Sequence, residues 1–235
     1  MTATQMLLQT ARSQVVEYAR RLIPDGLSVG TSGNISSRED DLIAITPSRM
    51  DYAEMNAEHV CVIDLAGRVI DGALPPSSEV PLHLALYRDK AVKGIVHTHP
   101  TYATTVSTVL TELPSIHYML ARLGGPVRVA PYATYGSWAL AQNVAAAIEG
   151  RSAAIMANHG AVTVGASLAA AYVRSIILEW VCRLYAQARM LGEPAILSQS
   201  QLDAAWTRMS GSAAPEPVPA WAASVGSTVV AVRGR

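Results

Sequence analysis

A chain of 235 residues, half of them apolar, is long enough for one substantial domain and too hydrophobic to be disordered. Its 18 basic and 18 acidic side chains cancel, so no broad field draws it to nucleic acid or to an anionic membrane. Two distant cysteines, Cys61 and Cys182, exclude a disulfide framework and fit a reducing, cytoplasmic setting. Residues 1–14 lack the basic start, apolar core and cleavage site of a secretory leader. The most apolar stretch, Ala153 to Tyr172, is broken by Asn158 and His159 and makes a poor membrane span.

The first predicted element is a helix over Thr4–Leu22, with an apolar stripe at Leu7, Ala11, Val15, Ala19 and Leu22, ended by Pro24 and Gly26. A Gly/Ser/Thr/Asn-rich run from Val29 gives way to alternation towards Arg38, and Leu42–Thr46 reads as a buried strand. His59–Leu65 and Arg68–Ile70 flank Ala66-Gly67 as a hairpin. Ser78–Arg88 reads as a helix with Ser78 as its N-cap and Pro81 in its first turn. Gly94–His99 is a strand and Tyr102–Leu110 a helix. Val127–Ala130 is a strand and Ser137–Ile148 a helix. Strands Ala153–Ala157 and Ala161–Val164 bracket the turn Asn158-His159-Gly160, and a long helix spans Ser167–Leu191. Short turns between several strands favour a mixed, largely antiparallel sheet with helices on both sides over a strict βαβ series. Residues 1–210 form the expected domain. The Pro/Ala-rich segment 211–235 is expected to be extended or mobile unless Trp206 or Trp221 anchors it.

His97-Thr98-His99 places two imidazoles on one face of a strand, where both can meet one ion. His159, in a turn between apolar strands, is a candidate third ligand; three imidazoles with one open position form a catalytic zinc arrangement. Pro75-Pro76-Ser77-Ser78-Glu79 precedes a helix, where Ser78 can cap and Glu79 favours the dipole. The same start can bind an anion, and Glu79 can serve as ligand or base before a metal. His83, four residues on, is assigned a packing or hydrogen-bonding role. The segments Gly30-Thr31-Ser32-Gly33-Asn34 and Thr46-Pro47-Ser48-Arg49 read either as ordinary turns or as phosphate loops. Arg49 would grip phosphate oxygens in pairs, or stand as a solvated surface charge.

Together, GTSGNIS, TPSR, PSSE, VHTHP and ANHG, in that order, resemble the class II aldolase/adducin family, and within it the L-fuculose-1-phosphate aldolase type. IHYM and PYATYG also resemble aldolase segments that carry active-site aromatics, here Tyr118 and Tyr135. The resemblance covers about Thr4 to Leu191. It implies an α/β/α sandwich and a homotetramer with active sites between subunits. It further implies Zn2+, or Co2+, Mn2+ or Fe2+, on His97, His99 and His159, with Glu79 as ligand and catalytic base. Thr31, Gly33, Asn34, Ser48, Arg49, Ser77 and Ser78 would surround a phosphate, and Tyr118 would face the adjoining subunit's site. Arg49 departs from the family, which often carries Gly there.

The expected reaction is cleavage of a ketose 1-phosphate, L-fuculose 1-phosphate or a related sugar phosphate, to dihydroxyacetone phosphate and an aldehyde through a metal-stabilised enediolate. Alternatives on the same scaffold are a sugar-phosphate epimerase, dehydratase or decarboxylase, or a non-catalytic adducin-like interaction module. The lysines, Lys90 and Lys93, sit beside a predicted helix end and suit no Schiff-base chemistry.

Overall fold

Strand alternation and helix periodicity sort the apolar residues onto the two faces of one sheet. The computed structural model describes residues 6–212. Helix α1 (Gln9–Arg21) precedes strands β1 (Asn34–Glu39) and β2 (Leu42–Ile45) and the hairpin β3 (Cys61–Asp64) and β4 (Val69–Asp71). Helix α2 (Val80–Leu86) leads into β5 (Gly94–Thr98), α3 (Thr101–Ser107) and the short β6 (Glu112–Leu113). A 3-10 turn over Tyr118–Leu123 is followed by β7 (Val127–Ala130), α4 (Trp138–Ile148), β8 (Ala153–Met156) and β9 (Gly160–Gly165). The long α5 (Leu168–Leu191) and α6 (Gln199–Met209) come last among the described residues.

The strands form one nine-stranded sheet in the order β4-β3-β2-β1-β5-β9-β8-β7-β6. Pairings are antiparallel except that of β7 with β8. Ile43, Ile45, Ile95 and Val162 pack on Leu82 and Leu86 of α2 and Leu140 and Val144 of α4. Ile35, Ala44 and Val96 meet Val15 and Ala19 of α1 and Leu168 and Tyr172 of α5. Ala153, Ile155 and Ala161 meet α3 and the later turns of α5. Each fully buried aliphatic side chain contributes roughly 1.5–3 kcal/mol through this separation from water. The result is the expected α/β/α sandwich. Because Ile35 and Val96 point towards α1 and α5, their neighbours Asn34, Ser36 and His97 point towards α2.

Several boundaries shift. Helix α1 starts at Gln9, and the expected start at Thr4 lies outside the described residues. Ser78 is not the N-cap of α2: Glu79 occupies that position and makes no side-chain cap bond. The Ser77 hydroxyl accepts from the Glu79 N–H instead, while the Glu79 carboxylate is turned into the sheet. Helix α6 was not expected from periodicity, although Ser198 and Gln201 form a capping box at its start. Trp206 lies half-exposed on α6, whereas Trp221 and residues 213–235, the greater part of the expected tail, lie outside the described residues. No helix among the described residues is long and apolar enough to cross a membrane.

Candidate metal centre and its cleft

His97 sits at the centre of the sheet, directly opposite Asn34 on β1 and Val162 on β9. Its fully buried ring donates from Nδ1 to the Ala161 carbonyl at 2.9 Å, which fixes the ring and turns Nε2 inward. His99, one strand repeat further, brings its Nε2 to 2.9 Å from that of His97. His159 arrives from the turn between β8 and β9, where Asn158 adopts φ 54°. That approach needs Gly160, because a Cβ there would collide with the Thr98 carbonyl oxygen. The three ring centroids lie 4.7–5.0 Å apart.

Glu79 closes the group from the start of α2. Its Oε2 lies 2.9 Å from His97 Nε2 and accepts from Asn34 Nδ2 at 2.9 Å. Its Oε1 lies 3.7 Å from His159 Nε2 and is buried without a hydrogen-bond partner among the described residues. An orphaned carboxylate oxygen in the interior is costly unless a cation meets it. Burial alone would raise the Glu79 carboxyl. The charge and hydrogen bond of His97, the Asn34 amide and His159 outweigh it, and hold the group well below the carboxylate range. Burial and the neighbouring rings push His99 down to about 3, and burial with His97 pushes His159 down to about 4. Burial lowers His97 too, but Glu79 more than compensates and raises it. Neutral His99 and His159 are the ligand form of the side chain.

One ligand atom from each of Glu79, His97, His99 and His159 lies within 4.8 Å of the others. Three imidazoles and the Glu79 carboxylate with its orphaned Oε1 could hold a divalent cation.

A cleft of about 450 Å³ opens over Glu79, His99 and His159. Pro47 bridges to Pro76, the Ser48 N–H donates to Pro75 and the Ser77 N–H to Thr46, so the TPSR and PSSE segments lie side by side as one wall. Thr31, Gly33 and Asn34 form a second wall, and Tyr135 stands at the rim. Gly33 has φ 78°, and a Cβ on it would sit 2.8 Å from the His97 carbonyl oxygen; only glycine lets this loop approach the metal strand so closely. Ser48, Arg49, Ser77 and Ser78 also line the cleft. The Asn34 amide is engaged by Glu79 and His83. His83 is buried and hydrogen-bonded, as expected, and stands outside the metal group. Tyr118 does not line this cleft; it lies half-exposed on the 3-10 turn with its ring 4.5 Å from that of His117. Tyr52, Tyr132 and Asn158 line the cleft without having been singled out. Tyr132 lies within PYATYG, and Asn158 precedes His159. Tyr52 carried no local signal: its hydroxyl reaches the Gly33 carbonyl, at 2.7 Å, through tertiary packing.

Residues 13–186 match the family described as "Class II Aldolase and Adducin N-terminal domain". The chain belongs to the class II aldolase and adducin family. Among family relatives, a 5-deoxy-D-ribulose 1-phosphate aldolase of Bacillus thuringiensis is 39% identical over 204 residues, covering 84% of this chain and 94% of that one. An L-fuculose phosphate aldolase of Escherichia coli is 33% identical over 192 residues, covering 80% and 89%. A solved L-fuculose 1-phosphate aldolase matches with TM-score 0.84 and 36% identity, over 87% of this chain and 98% of that one. Within the family, the chain is therefore of the fuculose-phosphate aldolase type, whose members named here are lyases.

Proposed function

We propose that this family member is a zinc-dependent aldolase that cleaves a ketose 1-phosphate, of the 5-deoxyribulose or fuculose kind, to dihydroxyacetone phosphate and an aldehyde. The observation that carries the reading is Glu79: Oε2 is pinned from two sides while Oε1 faces the imidazoles without a partner. A divalent cation held by His97, His99 and His159, with Glu79 beside it, supplies Lewis-acid stabilisation of the charge that develops on the ketone oxygen. As the C3–C4 bond breaks, its electron pair moves towards the carbonyl and the O4 proton leaves with formation of the aldehyde. Glu79 Oε1, which carries no proton at rest, takes one up from solvent and delivers it to C3, and in the synthetic direction removes it.

Hydroxyls of Thr31, Ser48, Ser77 and Ser78 and the backbone at Gly33 bind the phosphate, with Arg49 adding a permanent charge. Tyr135 borders the aldehyde end. Tyr118, exposed and remote from its own cleft, relays the O4 proton at the site of an adjoining subunit in a homotetramer, accepting it as its own phenolic proton passes to solvent. Both lysines lie outside the cleft, which supports metal chemistry over a Schiff base.

The test is release of dihydroxyacetone phosphate from 5-deoxyribulose and fuculose 1-phosphates, coupled to NADH oxidation. Turnover should vanish on chelation and return with zinc. Glu79→Gln should keep phosphate-ligand binding and lose at least about 99% of turnover, as expected when a positioned acid–base group is removed. Indifference to chelation, with no product from any ketose 1-phosphate, would overturn the reading.

A further inference from the structure

Behind Glu79 the helix and the sheet interlock through polar groups where an apolar contact would be expected. Glu79, His83 and Tyr87 follow one another at four-residue intervals along one side of α2, and Asn34 and Ser36 alternate on the facing side of β1. All five are buried. They form one continuous line: Asn34 Nδ2 to Glu79 Oε2 at 2.9 Å, His83 Nε2 to Asn34 Oδ1 at 2.6 Å, Ser36 Oγ to His83 Nδ1 at 2.6 Å, and Tyr87 to Ser36 at 2.7 Å.

The direction of every bond follows from its neighbour. A carboxylate only accepts, so the amide nitrogen of Asn34 faces Glu79 and its oxygen faces His83. That oxygen only accepts, so His83 carries its proton on Nε2. The ring is fully buried and neither nitrogen faces a carboxylate, so it is held neutral and Nδ1 accepts from the Ser36 hydroxyl. With its one proton committed, Ser36 accepts from Tyr87, whose phenol burial drives above its ordinary range. Arg38 holds the far end by donating to the Tyr87 carbonyl at 2.8 Å.

We propose that His83, Ser36 and Tyr87 are positioning residues whose one-way hydrogen-bond chain fixes the Asn34 amide and so reserves Glu79 Oε1 for proton transfer. The inference rests on the aldolase reading for its function. Its geometry does not. A chain of aligned donors strengthens each bond along it, and partial removal leaves buried groups unpaired. Partners that orient a metal-site residue are typically worth about 10–100-fold in affinity or activity.

The test uses metal-loaded full-length protein and two readouts. One is exchange of solvent deuterium into dihydroxyacetone phosphate, which follows the C3 proton without any aldehyde. The other is nitrogen-15 NMR of the imidazoles without substrate, which reads the tautomer of His83. Wild type should show neutral His83 with its proton on Nε2. His83→Leu should lower the exchange kcat by about tenfold or more at unchanged KM and unchanged metal content. His83→Gln, which can donate and accept in the same places, should recover to within about threefold. Tyr87→Phe, which keeps volume, should lower kcat by about two- to fivefold if His83→Leu fails to fold.

A proton on Nδ1, a charged His83, or a folded His83→Leu or Tyr87→Phe with wild-type exchange would each overturn the proposal. So would a rate loss matched by an equal loss of metal. A wild-type protein that exchanges nothing would count against the aldolase reading, and the tautomer would still decide whether the chain runs as described.

Discussion

Arg49 combines two properties that pull against each other. It has φ 58°, a left-handed conformation that disfavours every residue with a Cβ by about 1–2 kcal/mol, and it lines the cleft beside Ser48. The backbone there turns the way glycine turns without cost. An arginine on such backbone at the cleft wall makes its guanidinium the group to test. Arg49→Gly should remove the local strain and loosen the unfolded chain by about 0.4–1 kcal/mol, two opposed effects that leave a net gain of about 0–1.6 kcal/mol for the variant. Melting should therefore be unchanged or rise by up to about 5 °C. Loss of a charge-assisted phosphate contact should raise KM for the phosphorylated substrate by about tenfold with kcat little changed. Steady-state kinetics with a ketose 1-phosphate decides the matter; an unchanged KM makes Arg49 a bystander on strained backbone.

The strand that carries His97 leads into a helix whose own start is poorly capped. Helix α3 follows His99 directly, and Pro100 at its N-cap position offers no side-chain oxygen. Glu179 of α5 fills the role from outside, accepting from the Tyr102 and Ala103 N–H groups at 2.8 Å each. Its removal should orphan both donors, cost about 1–2 kcal/mol, and lower the melting temperature of Glu179→Ala by roughly 3–6 °C. Burial raises the Glu179 carboxyl despite those bonds, so the folded state holds its proton more tightly than the unfolded one. The contribution of Glu179 to stability is then full below its unfolded pKa and declines as pH rises through the folded pKa. The gap in melting temperature between wild type and Glu179→Ala should therefore be widest near pH 4 and narrow as pH rises.

At this scale the limits of sequence reading are physical. His97 and His99 were legible because a strand repeats every second residue, and β7 because Val127, Val129 and Ala130 stand between turn signals. Glu179 was invisible because it lies 76 residues from the N–H group it serves. Ser78 was misassigned as a cap because local preference ignores the pull of His97 and Asn34 on the neighbouring carboxylate. Helix α6 announced itself only through Ser198 and Gln201, since Leu202 is its one buried residue.

For the whole molecule, the unplaced residue is Tyr118. It is half-exposed on a 3-10 turn beside His117, whose ring lies 4.7 Å from that of Trp180, and it stands apart from the cleft that holds Glu79. A tyrosine that acts in catalysis from such a place must act on another copy of the chain. In a cyclic assembly each site would then combine Glu79 of one subunit with Tyr118 of the next, a heterologous arrangement that closes on itself. Two inactive variants can rescue each other only under that arrangement. Tyr118→Phe and Glu79→Gln should each be nearly inactive alone. Co-expressed in equal amounts and assembled at random, they should regain about a quarter of wild-type turnover, because one site in four pairs an intact Glu79 with an intact Tyr118. Were Tyr118 to serve its own chain's cleft, every mixed site would still lack one of the two groups. Hybrids that remain as inactive as their parents, in a preparation whose subunits are shown by mass spectrometry to have mixed, would therefore exclude shared sites.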